Sequence, residues 1–375
     1  MRALQAKSNM SITRLRIVLV APLPPPYGGI GNWTVLLRRF AQVRNDISLD
    51  IVDTAPRWRA IDDLVVWKRF LGGGAQLLRD YLRFLVLLWK RPDIVHLTTS
   101  GQLASVRDIA ILTTAWLIRS PSVYHIRFGR IPEIAQKNTR EWRMLAKAMR
   151  MASAVIAIDH ETAATIARLL PGVPVVRIPN GIDLAGLPQS VSSLACRTLT
   201  FLGWVIPTKG VAELCQAWAQ SQSSLTGWRC LVVGPGAEGY RQELRSRFGA
   251  EHLEFLPQQS HADAMRLMAA TDVFVLPSYT EGFPNVIIEA MAMGKSIIAS
   301  NVGAIPEMLS GGCGVVVPPK DVDALVKALR EVCSDAEMRK AMGARAQVKA
   351  RTEYAMDRVL EQLMSVWRDV AKKPL

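Results

Sequence analysis

Short apolar runs rich in Val and Ile alternate with longer amphipathic stretches along the whole chain, the pattern of α/β units built around parallel sheets. Six strands are predicted in the first half: "RIVLVAP" from Arg16, "SLDIVD" from Ser48, "DIVHLTT" from Asp93, "SVYHIRF" from Ser122, "AVIAID" from Ala154 and "PVVRIP" from Pro174. Helical periodicity fills the gaps, for example over 103–118 and 141–151. Then "QSVSSLACR" (189–197) loses periodicity and carries small polar residues, as a linker does. A second series follows: "TLTFLGW" from Thr198, "RCLVVG" from Arg229, "LEFLP" from Leu253, "DVFVLP" from Asp272, "SIIAS" from Ser296 and "GVVVPP" from Gly314. Helices are predicted over 262–270 and 321–333, and a long polar helical pattern covers 338–371.

The expected fold class is therefore α/β: two Rossmann-like doubly wound domains facing each other across a cleft, with a long C-terminal helical segment. The expected boundaries are a first domain over 1–188, the linker 189–197, a second domain over 198–355, and a helix over 356–375 packing back toward the first domain. Such sheets bind ligands outside the carboxyl ends of their strands, so residues just after strands carry the candidate chemistry.

Composition narrows the class. Hydrophobic residues make up 50% of the 375 and charged residues 21%, which fits a globular protein and not a disordered one. No apolar run approaches the roughly 18–20 residues of a membrane-spanning helix. The first one, "IVLVAP" from Ile17, reads as a strand and not as a signal peptide. Five scattered cysteines, never in a C-x-x-C pair, argue for reduced thiols in a cytoplasm and against disulfides and zinc.

The formal charge of +14 is unevenly shared. Residues 1–190 hold 26 Lys and Arg against 13 Asp and Glu, and the remainder holds 20 against 19. A basic half attracts nucleic acid, an anionic membrane or a phosphorylated substrate. No helix-turn-helix, RNP-type or zinc signature is present, so no nucleic-acid partner is expected. In "RWRAIDDLVVWKRFL" (57–71) and "RDYLRFLVLLWKR" (79–91) the cations are interleaved with aromatic rings. That suits a helix lying on the headgroups of an anionic membrane at its inner face. A core-facing helix with a solvated basic edge has the same pattern, and both readings stay open here.

One stretch stands apart. "SYTEGFPNVIIEAMAMG" (278–294) places Glu281 among turn residues and Glu289 alone in an apolar run. Pro284 fits the first position of a helix and Gly294 its stop. The free amides near Asn285 and Val286 then form an anion site suited to a diphosphate, with Gly282 and Phe283 in the loop before it. Glu281 lies at the same mouth. Glu289 is too far into the helix for a capping box. Its partners are either hydroxyl pairs of a ligand or a Lys or Arg from a neighbouring strand.

"EGFPNVIIE" resembles the E-x7-E motif of the retaining glycosyltransferases of the GT-B fold, family 4 (group 1). The flanks "DVFVLPSYTEGFPNVIIEAMAMGKSIIASNVGAIPEML" and "GVVVPPKDVDALVKAL" agree over most of the C-terminal half, while "GGIG", "YHIRFG" and "PNGID" carry a thinner match before it. The resemblance implies an acceptor-binding first domain and a nucleotide-sugar-binding second domain. It gives Glu281 a contact with the donor sugar near the reacting centre and Glu289 the ribose. Lys209, in "GWVIPTKG", holds the diphosphate and assists its departure as charge grows on it. The family pattern pairs that Lys with an Arg five positions earlier; this chain has Trp204 there, and an indole does not replace a cation. Arg127 or Arg130, in "HIRFGRIP", are candidate substitutes and candidate contacts to acceptor or phosphate.

Other strand ends contribute more weakly. Gly28, Gly29 and Gly31, in "PLPPPYGGIGNW", let backbone approach a ligand ahead of a helix, although a tight turn explains them too. The Rossmann fingerprint is not met, because Thr34 stands at its last position; this argues against a dehydrogenase. His125 ends a strand, and the resemblance gives it a contact with the donor sugar. Asn180 lies in the turn "PNGID", beside the cleft in the family.

The expected activity is sugar transfer with retention from a nucleotide diphosphate sugar to a glycan or lipid-linked acceptor, in cell-surface polysaccharide biosynthesis. No metal or other cofactor is expected. The alternative is a non-catalytic scaffold or regulatory subunit with the same fold.

Overall fold

The computed structural model describes residues 14–25, 29–55, 66–102, 104–188 and 197–372; of 66–73 only the backbone is described. Gly28, the linker residues 189–196 and most of the stretch 57–71 lie outside the described residues. The chain divides into two compact units, one of Met1–Ile158, Thr162–Ile178 and Leu360–Leu375, the other of Asp159–Glu161 and Pro179–Val359.

The first unit holds β1 (Leu15–Ala21), β2 (Ile47–Asp53), β3 (Ile94–Thr99), β4 (Ser122–Ile126), β5 (Ala154–Ala157) and β6 (Val175–Arg177). They form one parallel sheet in the order β2-β1-β3-β4-β5-β6. These are the six strands predicted from the sequence. β3 and β4 are buried at every position, which is why they read as continuous runs and not as alternations. Alternate side chains still diverge. Val95, Leu97, Tyr124 and Ile126 join the core made with Ile111, Leu112, Leu145 and Met149 of the helices Ala104–Leu117 and Arg140–Met151. His96 and His125 are left to the opposite face.

The second unit holds β7 (Arg197–Leu202), β8 (Trp228–Val233), β9 (Leu253–Leu256), β10 (Val273–Leu276), β11 (Ser296–Ser300) and β12 (Val315–Val317). Its parallel sheet runs β12-β11-β10-β7-β8-β9. Again each strand is a predicted one. The helices predicted over 262–270 and 321–333 form at His261–Ala269 and Val322–Ser334. Ser260 and Asp321 cap them by accepting from the amides of Asp263 and Ala324.

The long pattern over 338–371 is not one helix. It is Ala336–Glu353, capped by Asp335, followed by Met356–Ala371. Between them the backbone turns to the "PNGID" segment. Ile182 N–H donates to the Tyr354 carbonyl at 2.8 Å, and Met356 N–H donates to the Ile182 carbonyl at 2.9 Å. Those bonds replace helical ones, and the buried Tyr354 ring fills the break. From Leu360 the last helix belongs to the first unit, where Arg368 pairs with Asp46 at 2.9 Å.

Candidate active site

In each sheet the strand order reverses once, between β1 and β3 and between β7 and β10. A crevice opens outside the carboxyl ends of strands at such a switch point. The second unit gathers the candidate residues of two segments at its β7/β10 crevice. After β7 the chain passes Trp204 and enters a short turn, Pro207–Lys209, closed by Gly210 in the left-handed region at φ 70°. After β10 it enters the loop that carries Glu281. Tyr279 N–H donates to the Thr208 carbonyl at 2.9 Å, which ties the two segments together.

Lys209 Nζ lies 2.6 Å from Glu281 Oε1, and Ser278 Oγ donates to that same oxygen at 2.6 Å. Both ionic side chains are largely buried. Oε1 is thus fully engaged, while Oε2 has no partner among the described residues. The sequence marked Lys209 and Glu281 separately; the structure makes them one unit, with Ser278 as a member the sequence reading missed. Gly210 makes the approach possible, because a Cβ there would meet the Pro277 carbonyl oxygen at 2.0 Å. Gly210→Ala is expected to destabilise the unit by at least about 2 kcal/mol, read as a lowered urea midpoint. An unchanged midpoint would show that the loop relaxes freely.

The loop's carbonyls are tied away from the crevice. Gly282 O accepts from Ala304 N–H at 2.9 Å, and Phe283 O accepts from Asn180 Nδ2 at 3.3 Å. Asn180 Nδ2 also donates to Asn285 Oδ1 at 2.8 Å. Both amide hydrogens of Asn180 are therefore spent on the loop, which it latches, while its Oδ1 is buried without a hydrogen-bond partner among the described residues. Gly303 packs under the same loop; a Cβ there would meet the Glu281 carbonyl oxygen at 2.3 Å. The Phe283 ring is buried edge-on against Tyr354, so its side chain is structural.

The helix Asn285–Ala292 starts one residue later than expected. Pro284 is extended, with ψ 113°, and stands at the N-cap position, so Asn285 and not Pro284 is the first helical residue. The first intrahelical bond is Ile287 N–H to Pro284 O at 3.1 Å. The amides of Asn285 and Val286 precede it, as the anion site requires. Gly294 ends the helix as predicted, at φ 66°.

Of the partners that the sequence leaves open for Glu289, the ion pair with a neighbouring strand does not form. Among the described residues no Lys or Arg pairs with its carboxylate and no donor reaches it. Burial alone pushes its carboxyl up to about 7. Glu289 is half-buried in an otherwise apolar helix, so a carboxylate without donors there is costly and still within reach of a ligand, the character of a site awaiting donors.

In the first unit, Gly29 opens the helix Gly29–Gln42, with no acidic residue in its first turn. His125 is fully buried at the end of β4. Its Nδ1 lies 3.2 Å from His96 Nε2, and its Nε2 lies 3.4 Å from Arg127 Nη1. The Arg127 guanidinium stacks 4.2 Å over the Trp33 ring, which meets His125 edge-on. Burial, reinforced by the Arg127 charge, holds both imidazoles well below their ordinary range, His96 at about 3. Burial lowers Arg127 to about 9, which leaves it a cation at neutral pH. Arg130 is spent otherwise: it pairs with Glu141 at 3.2 Å and lies over Phe128. Of the two arginines proposed as substitutes at Trp204, only Arg127 lacks a carboxylate partner among the described residues. Trp204 itself is 46% exposed.

The comparisons with known proteins decide the family. A model described as Glycosyltransferase Family 4 matches residues 16–185, and one described as Glycosyl transferases group 1 matches 192–349. The chain belongs to the family 4 glycosyltransferases. The family is one of retaining enzymes, and the resemblance read from the E-x7-E stretch stands. Among curated relatives of this family 4 chain, a phosphatidyl-myo-inositol mannosyltransferase of Mycolicibacterium smegmatis is 34% identical over 214 residues, covering 53% of each protein. The match thus spans about half the length of that relative. Two solved structures show the GT-B fold. Sucrose-phosphate synthase from Thermosynechococcus elongatus superposes with a TM-score of 0.73 at 18% identity, over 95% of this chain and 99% of that one. HepE from Anabaena, in complex with UDP and glucose, does so with 0.70 at 20% identity, over 94% and 99%.

Proposed function

We propose that this family 4 chain transfers a sugar, with retention, from a nucleotide diphosphate sugar to a lipid-linked or otherwise phosphorylated glycan acceptor. The observation that carries the reading is Glu289, a carboxylate without partners set about one turn behind an anion-binding helix start. Ribose hydroxyls supply the donors it lacks. The amides of Asn285 and Val286 take the diphosphate, and Lys209 offsets the charge that develops on it as the sugar leaves. Glu281, held by Lys209 and Ser278, offers its open oxygen to the donor sugar. These charges suffice for departure of the leaving group without a metal. A thermal-shift panel of UDP-, GDP- and ADP-sugars tests the reading: one class raises the melting temperature, and that donor is then consumed on adding lipid extract. Stabilisation without consumption favours the non-catalytic scaffold, for which Trp204 is the only sequence support. No stabilisation by any of the three removes the proposed donor site.

The mannosyltransferase relative carries a phosphatidyl-myo-inositol name, which supports a lipid-linked acceptor. So does one face of the first unit. Leu78, Leu82, Val86 and Trp89 follow one another at helical spacing on and just beyond the helix Val66–Leu88, and all four are exposed. Asp80 and Phe84, on the other face, are buried. The helix thus packs on the core through Phe84, with Tyr81, Leu87 and Leu88 beside it, and leaves a second apolar stripe outside. Arg83 flanks the stripe, as contact with anionic headgroups requires, and Lys90 beside it pairs with Asp50 at 3.1 Å. Among the described residues no helix is long and apolar enough to cross a membrane. The reading is therefore a peripheral enzyme at the inner face, acting in cell-surface polysaccharide assembly. Flotation with anionic but not neutral vesicles is expected, and equal flotation with both removes the electrostatic contact.

A further inference from the structure

Four aromatic and cationic side chains of the first unit form a chain of nitrogen contacts whose protons can be counted. Trp367 Nε1 lies 2.9 Å from His96 Nδ1, His96 Nε2 lies 3.2 Å from His125 Nδ1, and His125 Nε2 lies 3.4 Å from Arg127 Nη1. An indole N–H and a guanidinium only donate, and a neutral imidazole carries one N–H. Four N–H groups therefore compete for three contacts. One contact must hold two protons and be no hydrogen bond.

The distances choose which. Trp367 occupies the shortest contact, so His96 Nδ1 is the acceptor and the His96 proton sits on Nε2. His96 then donates to His125 Nδ1, and the His125 proton sits on Nε2, facing Arg127. That last contact is the longest of the three. The neutrality on which the count rests agrees with the burial of both rings. Arg127 is itself 8% exposed and has no carboxylate partner among the described residues. Trp33 Nε1, in the ring beneath it, is also buried without an acceptor. The cluster is rich in donors and lacks an anion.

We infer that the C-terminal helix, through Trp367 and His96, fixes His125 as its Nε2–H tautomer, and that this N–H and Arg127 make a two-donor seat for one phosphate oxygen of a bound substrate. An oxygen about 2.9 Å from each nitrogen closes the triangle and turns a repulsive contact into two charge-assisted bonds. Trp367 and His96 are positioning residues; His125 and Arg127 touch the ligand. The inference rests on the transferase reading only for which substrate bears the phosphate. That substrate is a phosphorylated acceptor.

Long-range nitrogen–proton NMR on protein labelled in histidine tests this directly. The chain has only five histidines, and His160, His252 and His261 are exposed. Both buried rings should show protonated Nε2 and bare Nδ1. Trp367→Phe keeps the ring and removes the top proton, so the chain is free to reverse: Arg127 donates to His125, and both rings move their protons to Nδ1. Wild-type rings already protonated on Nδ1, or a Trp367→Phe pattern identical to wild type, would overturn the tautomer relay. Titration then finds the oxygen. Glycerol 3-phosphate, a simple phosphorylated probe, should shift the His125 Nε2 signal, and a shift by UDP or GDP alone would overturn the assignment to the acceptor. Arg127→Gln should weaken the effective ligand roughly tenfold or more. If nucleotides raise the melting temperature yet no phosphate moves His125, the seat is wrong and the transferase reading survives. If the tautomers are as stated and glycerol 3-phosphate moves His125 while no nucleotide binds, the seat stands and the donor reading fails.

Discussion

Glu281→Gln is expected to lower turnover roughly 10²–10³-fold while leaving nucleotide affinity near wild type. The substitution keeps the size of the side chain and an oxygen for Ser278 and Lys209, so the loop should keep its shape. What it removes is the charge at the open oxygen, which the proposed function assigns to the positive character developing on the donor sugar. Lys209 would lose its ionic partner at the same time. A Lys209→Met companion separates the two effects, because loss of the cation should weaken diphosphate binding and Glu281→Gln should not. Wild-type turnover in Glu281→Gln would remove Glu281 from the mechanism.

The second large effect is a pair of opposite changes at Glu289. A carboxyl raised to about 7 in the folded state and lying near 4.5 in the unfolded chain makes the folded protein the stronger proton binder between those values. Stability therefore falls as pH rises through that window, and the full cost is present above it. The shift corresponds to a cost on the order of 3 kcal/mol. Glu289→Gln carries no charge, so it should be more stable than wild type at pH 8 and close to it at pH 4.5, read by urea unfolding at both values. The same variant should bind nucleotide more weakly, because an amide oxygen is a poorer acceptor for a pair of ribose hydroxyls. A variant less stable at pH 8 would mean that Glu289 has a partner in the fold and is not held for a ligand.

The fold was almost fully legible, and for a physical reason. Parallel strands buried on both faces read as short Val- and Ile-rich runs that few other structures imitate, and all twelve predicted strands formed. The break at Tyr354 was not legible, since Ala336–Glu353 and Met356–Ala371 have continuous helical composition and their interruption depends on Ile182, far away in sequence. The same limit applied at the sites. Glu281 and Glu289 stood out because a carboxylate at a strand end or inside an apolar run is unusual in itself, whereas Lys209 was marked through the family resemblance. Ser278, Gly303 and the latch formed by Asn180 matter only through contacts that the turn brings about. His96 lay inside a predicted strand, and a polar residue in a fully buried run was the signal that could have found it. Trp367 offered none, because an aromatic in an amphipathic helix is ordinary core until its N–H is seen to meet an imidazole.

On the proposed function, Glu289 is kept unpaired for the ligand. Ligand donors stabilise the ionised carboxylate, so nucleotide binding near pH 7 should drive a proton off Glu289. Titration calorimetry of UDP, GDP and ADP at pH 7, repeated in buffers of different ionisation enthalpy, measures that proton. The account predicts that at least one nucleotide binds wild type with net proton release, and that Glu289→Gln binds the same nucleotide more weakly with the release abolished. Equal affinity and equal proton release in the two proteins would contradict it.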